Sequence, residues 1–158
     1  MNQASILQHI ADAKQAHISW IKRARHLVEG LPVNKEFIPL EATSCRFGKW
    51  LYSEGTLLRQ VDSSNRLFNE IELKHNELHE TYKNIYKIFF IIPSKKSLIQ
   101  KIFSFNHHTI STNEQEKAQI YFKYLKRTSN ELIAILSQLE KEIKILSYQD
   151  LKKLKLSN

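Results

Sequence analysis

The sequence predicts an all-α fold, a four-helix bundle with three long helices and one short helix. Two observations carry this prediction. Apolar residues recur at alternating spacings of three and four over long stretches, the period of one helical face. Gly and Pro number only three each in 158 residues, too few for a turn-rich β fold. At this length the chain reads as one domain, residues 1–158, able to bury a core without disulfides.

The first helix is expected from Ser5 to Leu31, where Ile6, Ile10, Ala13, Trp20, Ala24, Leu27 and Leu31 keep the three-four spacing. One polar residue fills a slot in that stripe, His17. At 1.5 Å per residue such a helix is roughly 40 Å long. Gly30 and Pro32 supply its stop. His9 and His26 fall off the stripe and are expected at the surface.

Residues 32–42 read as an irregular connection with Pro39 as a second breaker. Next comes Cys45-Arg46-Phe47-Gly48-Lys49-Trp50-Leu51. With Thr43 or Ser44 as N-cap, Cys45 falls in the first turn of a short helix. There the helix dipole and Arg46 would both favour thiolate over thiol. Gly48 costs helix propensity, so it predicts close approach of backbone to a neighbouring helix. Trp50 is expected as a core anchor.

After a polar linker, a third helix is predicted from Asp62 to Pro93, with Phe68, Ile71, Leu78, Tyr82, Ile85 and Phe89 on its apolar stripe. His75 lies inside that stripe and His79 on its edge. Two histidines four apart share a helical face, which lets both imidazoles reach one metal ion, although hydrogen-bonded core histidines give the same pattern. The 93–113 stretch is mixed, with a basic-apolar piece from Lys95 to Phe105 that could pack on the bundle or touch a partner. His107 and His108 are adjacent, so they diverge and make poor ligands together. The closing helix is expected at about 113–147, on a stripe that includes Ala118, Phe122, Leu125, Leu132, Leu136, Leu139, Ile143 and Leu146, with Ser129 as a small polar exception. A basic tail, 148–158, follows.

Facing helices of a bundle are a common place to assemble metal ligands. The polar residues aimed at this interior are few: His17, His75, His79 and potentially Cys45. Three imidazoles and one thiolate complete a tetrahedral zinc site, and the soft sulfur favours zinc over harder or oxygen-seeking metals.

At residues 6–90 the chain resembles the chemoreceptor zinc-binding domain of bacterial signalling proteins. The resemblance rests on His17-Ile18-Ser19-Trp20, then Cys45-x-x-Gly48-x-Trp50, then His75-x3-His79, in that order. It implies one zinc per chain held by His17, Cys45, His75 and His79. It also implies a regulatory role that reports zinc or hypochlorous acid to a chemoreceptor or diguanylate cyclase partner, and dimerisation through this domain. The family often carries an acidic residue just before the first histidine, where this chain has Ala16.

Other classes are disfavoured. His75-Asn76-Glu77-Leu78-His79 is not the H-E-x-x-H arrangement, because Glu77 is turned off the metal face, and four protein ligands leave no position for a water. The chain is therefore read as no enzyme. A net charge of +8 raises nucleic acid as a partner, but the lysines are dispersed and no arginine-aromatic groove pattern appears. A permanently filled zinc that only staples a dimer is the alternative role. No apolar run approaches the ~20 residues of a membrane span, no secretory leader is visible, and one cysteine fits a reducing compartment. Cytoplasmic location is the resulting expectation. Apolar residues off the core stripes, among them Ile18, Ile21, Val28, Tyr86, Ile120 and Ile133, predict a homodimer.

Overall fold

The computed structural model describes residues 2–34, 39–91 and 110–147, together with 149, 150 and 152. Helix α1 spans Gln3–Val28, α2 Arg46–Leu51, α3 Asp62–Phe90 and α4 Thr112–Lys144. The fold is all-α, with three long helices and one short one. The expectations for Pro93, Lys95 to Phe105 and His107-His108 lie outside the described residues, as does most of the basic tail.

Each helix end has a local cause. Asn2 caps α1 by accepting from the Ser5 amide. At its other end Gly30 takes φ +78°, Leu31 N donates to His26 O and Gly30 N to Leu27 O, the paired bonds of a Schellman stop. Helix α1 thus ends three residues earlier than expected, and Leu31 is exposed rather than part of the stripe. Ser111 and Glu114 form a reciprocal capping box at the start of α4. The linker before α3 is not merely polar: Glu54–Gln60 forms a 3-10 helix that buries Leu58, and Val61 is buried just after it.

Helix α4 is the central strut. It runs antiparallel to α1, with Gln3 near Ile143 and Gln115 near Val28. It also runs antiparallel to α3, with Lys74 paired to Glu131 and Glu77 to Thr128. Helices α1 and α3 touch each other little; α2 lies against α1 and reaches α3 through side chains, Phe47 to His75 and Tyr52 to Asn76.

The buried apolar residues form two clusters. One gathers Ile6, Ile10, Phe47, Trp50, Phe68, Ile71, Leu132 and Leu136; the other gathers Trp20, Leu27, Leu78, Tyr82, Ile85 and Leu125. Along every long helix a polar step separates them: His17 on α1, His75 on α3, Thr128 and Ser129 on α4, all buried. Interrupting a stripe this way gives up apolar burial worth about 1.5–3 kcal/mol per large side chain. The polar band therefore asks for a purpose other than packing.

Candidate metal centre

Four predicted ligands converge on this band from three helices, though not equally. Cys45 sits one residue earlier than expected: it is itself the N-cap of α2, after a 3-10 turn at Ala42–Ser44. Its Sγ accepts from the Gly48 amide at 3.1 Å and lies 3.3 Å from His75 Nε2. Gly48 makes this possible. A Cβ there would stand 1.7 Å from the Ala42 carbonyl oxygen and 3.2 Å from His75 Cε1. The close approach is real, but its partners are the preceding turn and the imidazole. Tyr52 Oη donates to Asn76 Oδ1 at 3.0 Å, fixing the far end of α2 to α3 beside His75.

His75 and His79 are equally buried, so His79 belongs to the core and not to its edge. Their ring centroids are 4.7 Å apart and set nearly perpendicular. Phe47 packs edge-on to His75, and Trp20 lies 4.6 Å from the His79 ring centre. The Leu40 carbonyl lies 3.1 Å from His79 Nδ1. A carbonyl only accepts, so Nδ1 carries the proton and Nε2 presents its lone pair. That Nε2 and His75 Nδ1 are buried with no hydrogen-bond partner. An orphaned buried polar atom costs about 1–3 kcal/mol, and a cation taking the His79 Nε2 lone pair would remove that cost there.

One donor atom from each of Cys45, His75 and His79 lies within 4.8 Å of the others. A filled tetrahedral zinc shell has donors about 3.5 Å apart, so a small contraction completes the trio. The sulfur and nitrogen donors suit zinc. His17 does not enter this group. Its ring centre is 5.7 Å from that of His75 and edge-on to Phe47, and its Nδ1 donates to the Ala13 carbonyl at 2.7 Å. A main-chain carbonyl one turn back thus orients this ring, in the place where an acidic neighbour was missing at Ala16. A cavity of about 270 Å³ opens beside the cluster, and His17, Cys45 and His79 all face it.

Electrostatics keep the rings neutral. Burial lowers His17 to about 4, offset in part by the Ala13 carbonyl. Burial, then the neighbouring His79 and His17, lowers His75 to about 3. Burial also lowers His79, against the Leu40 carbonyl. Neutral imidazole is the ligating form. The expected low thiol value at Cys45 is corrected: burial pushes it up, and the Gly48 amide only partly compensates. Arg46 does not contribute, because it reaches out to Asp12 at 3.0 Å and is 82% exposed. Glu77 points to α4, bonded to Lys74 and Thr128.

Two other expectations change. His9 is half-buried and stacks on Trp50, with centroids 4.9 Å apart, whereas His26 is exposed as expected. Val28 is 1% exposed and offers no dimer surface, while Ile18 and Ile120 are exposed. The acceptors at Ala13 and Leu40 had no signal in the sequence, because every residue carries a carbonyl.

A family model described as the chemoreceptor zinc-binding domain matches residues 17–86, less than half of the 158-residue chain. The match begins at His17 and takes in Cys45, His75 and His79. Over that stretch the chain is similar to the zinc-binding domain of chemoreceptor-type signalling proteins. No curated protein and no solved structure matches the chain.

Proposed function

We propose that the chain, whose residues 17–86 match the chemoreceptor zinc-binding domain, is a zinc-dependent sensory module and performs no catalysis of its own. Cys45, His75 and His79 hold one zinc ion, and His17 closes the shell from α1. The observation that carries this reading is the convergence of a half-buried thiol and two imidazoles with unpartnered nitrogens inside an apolar core. Zinc then pins α1 to the α2–α3 pair, so that binding free energy becomes folding free energy for the site. The signal is zinc availability, or an oxidant. Attack of the Cys45 thiolate on hypochlorous acid forms the S–O bond of a sulfenic acid as chloride leaves, and the oxidised sulfur is a poor ligand. The whole chain, 1–158, acts as one domain, with α4 closing it.

A chemoreceptor or a diguanylate cyclase in the cytoplasm is the proposed reader, and a homodimer the working unit. Exposed Ile18, Ile120 and Tyr124 support the latter. Nucleic acid is not a proposed partner. The engagement of Glu77 on Lys74 and on Thr128 of α4 supports a non-catalytic role, since this carboxylate is turned away from the cluster. Among the described residues no helix is long and apolar enough to cross a membrane.

Metal analysis of the purified chain tests the reading. About one zinc per chain is expected, retained by His107→Ala and lost from Cys45→Ala. A folded chain that neither carries nor takes up zinc overturns it. Sensor and staple separate in a pull-down with zinc-loaded and zinc-free protein: a staple gives the same partners in both.

A further inference from the structure

The cavity beside the cluster is composed like a ligand site. His17, Cys45 and His79 face it from the metal side, Trp20 forms an apolar wall, and Arg23 and Arg46 line it as well. His75 does not line it, so the cavity reaches the cluster on the side where His17 stands. Its volume of about 270 Å³ exceeds several times the ~30 Å³ share of one water in the liquid, room for a molecule of a few heavy atoms. Arg23 and Arg46 place positive charge along this cavity, Arg46 from its solvent-exposed side, and a guanidinium fork matches a small anion. The Arg46–Asp12 pair is solvent-exposed, and such pairs are weak enough for an entering anion to compete.

The four donors are also mechanically unequal. Cys45, His75 and His79 belong to one tight assembly, held by the Gly48 approach and the Tyr52–Asn76 bond. His17 is held to its own helix through Ala13 and stands outside the 4.8 Å group. We infer that this cavity binds a small anion with a metal-binding donor atom, and that the anion displaces His17 from the metal while Cys45, His75 and His79 keep hold of it. With zinc bound, Cys45, His75 and His79 would hold it throughout, and the anion's donor atom would take the place that His17 Nε2 gives up. The imidazole leaves as a neutral ring with its Nδ1–H still on Ala13, so no proton moves and the oxidation state of Cys45 is unchanged. The exchange frees α1 from the α2–α3 assembly without releasing the metal, a reversible input distinct from oxidation. This inference rests on the zinc reading above.

The test uses the full chain loaded with cobalt(II) in place of zinc and titrated with sodium azide, read by the visible d–d absorption of the cobalt. A saturable change with one azide per cobalt is expected. The Arg23→Gln/Arg46→Gln double variant should weaken the azide response about tenfold, an order-of-magnitude expectation for removing two nearby charges. Ala16→Phe, at an exposed position on the cavity rim, should fill the space and abolish the response. His17→Ala should still bind cobalt and take azide at least as tightly as the parent. Stoichiometric cobalt whose bands ignore azide overturns the inference and leaves the zinc reading standing, and so does an azide response undiminished in Ala16→Phe. A helical chain that binds no cobalt overturns the zinc reading itself.

Discussion

A methyl group at position 48 would overlap the Ala42 carbonyl oxygen at 1.7 Å, and the obstacle is backbone, which cannot swing aside like a side chain. Gly48→Ala should therefore cost at least the ~1–3 kcal/mol of ordinary overpacking, visible as a lower denaturation midpoint, and should weaken zinc retention by pushing Cys45 from His75. The imidazoles set a second residue-level expectation. In the metal-free chain His17 and His75 titrate at about 4 and about 3, below the ordinary 6.5. Between those values the unfolded chain takes up protons that the folded chain refuses, so their contribution is fully present above pH 6.5 and is lost as pH falls toward 4. Denaturant midpoints of metal-free protein at pH 7.5 and pH 5 should show the drop; a midpoint that rises on acidification contradicts it. At this scale much was legible: a polar residue in an apolar slot identifies His17 and His75, and a glycine inside a helix signals close contact. The protonation of Cys45 was not, because burial outweighs the helix-start effect and sequence does not reveal burial depth.

Each element takes its place from a few side chains. Helix α1 is tied to α4 near its middle by Lys14, which shares Glu140 with Lys144. Those two ammonium groups hold Glu140 down to about 2. Glu140→Gln should lower stability modestly, up to about 1 kcal/mol, and flatten the acid side of the stability profile between pH 4.5 and 2, where the paired carboxylate contributes above the unfolded value and loses that contribution on protonation. In the core of α4, Leu132→Ala should cost far more, about 2–5 kcal/mol, since Leu132 is fully buried. The long helices were readable from their three-four spacing, and the α1 stop from Gly30 and Pro32. The 3-10 helix at Glu54–Gln60 was not, because a stretch of seven residues gives too few turns to establish a period. The capping box at Ser111 and Glu114 was not legible, because neighbouring Thr112 and Asn113 offer equally good caps by type.

For the molecule as a whole, the polar band between two apolar clusters decides how metal loss is felt. Each cluster is closed by contributions from α1, α3 and α4, so stripping zinc with a chelator should leave most of the far-UV helical signal in place. The emission of Trp20, whose ring lies against His79, should change much more. Collapse of helicity on chelation would mean that the metal, not the two clusters, holds the bundle. The chain order of the four candidate ligands was legible, and with it the architecture. The stand-off of His17 was not, because it depends on an offset of a few ångströms between α1 and α3, which barely touch.

The two glutamine contacts between α1 and α4 constrain this molecule in a further way. Gln3 Nε2 donates to the Ile143 carbonyl at 2.7 Å, and Gln115 Nε2 donates to the Val28 carbonyl at 2.6 Å. Gln115 caps a carbonyl in the final turn of α1, and Gln3 shares the Ile143 carbonyl with the Leu146 amide at the end of α4. Helix α1 is thus a beam pinned at both ends, with its metal contact at His17 in between. Axial sliding would break both pins at once, whereas rolling at mid-span strains only the Lys14–Glu140 pair. A signal leaving the site should therefore travel as torsion, turning the outward face that carries Ile18 rather than displacing either end of the helix.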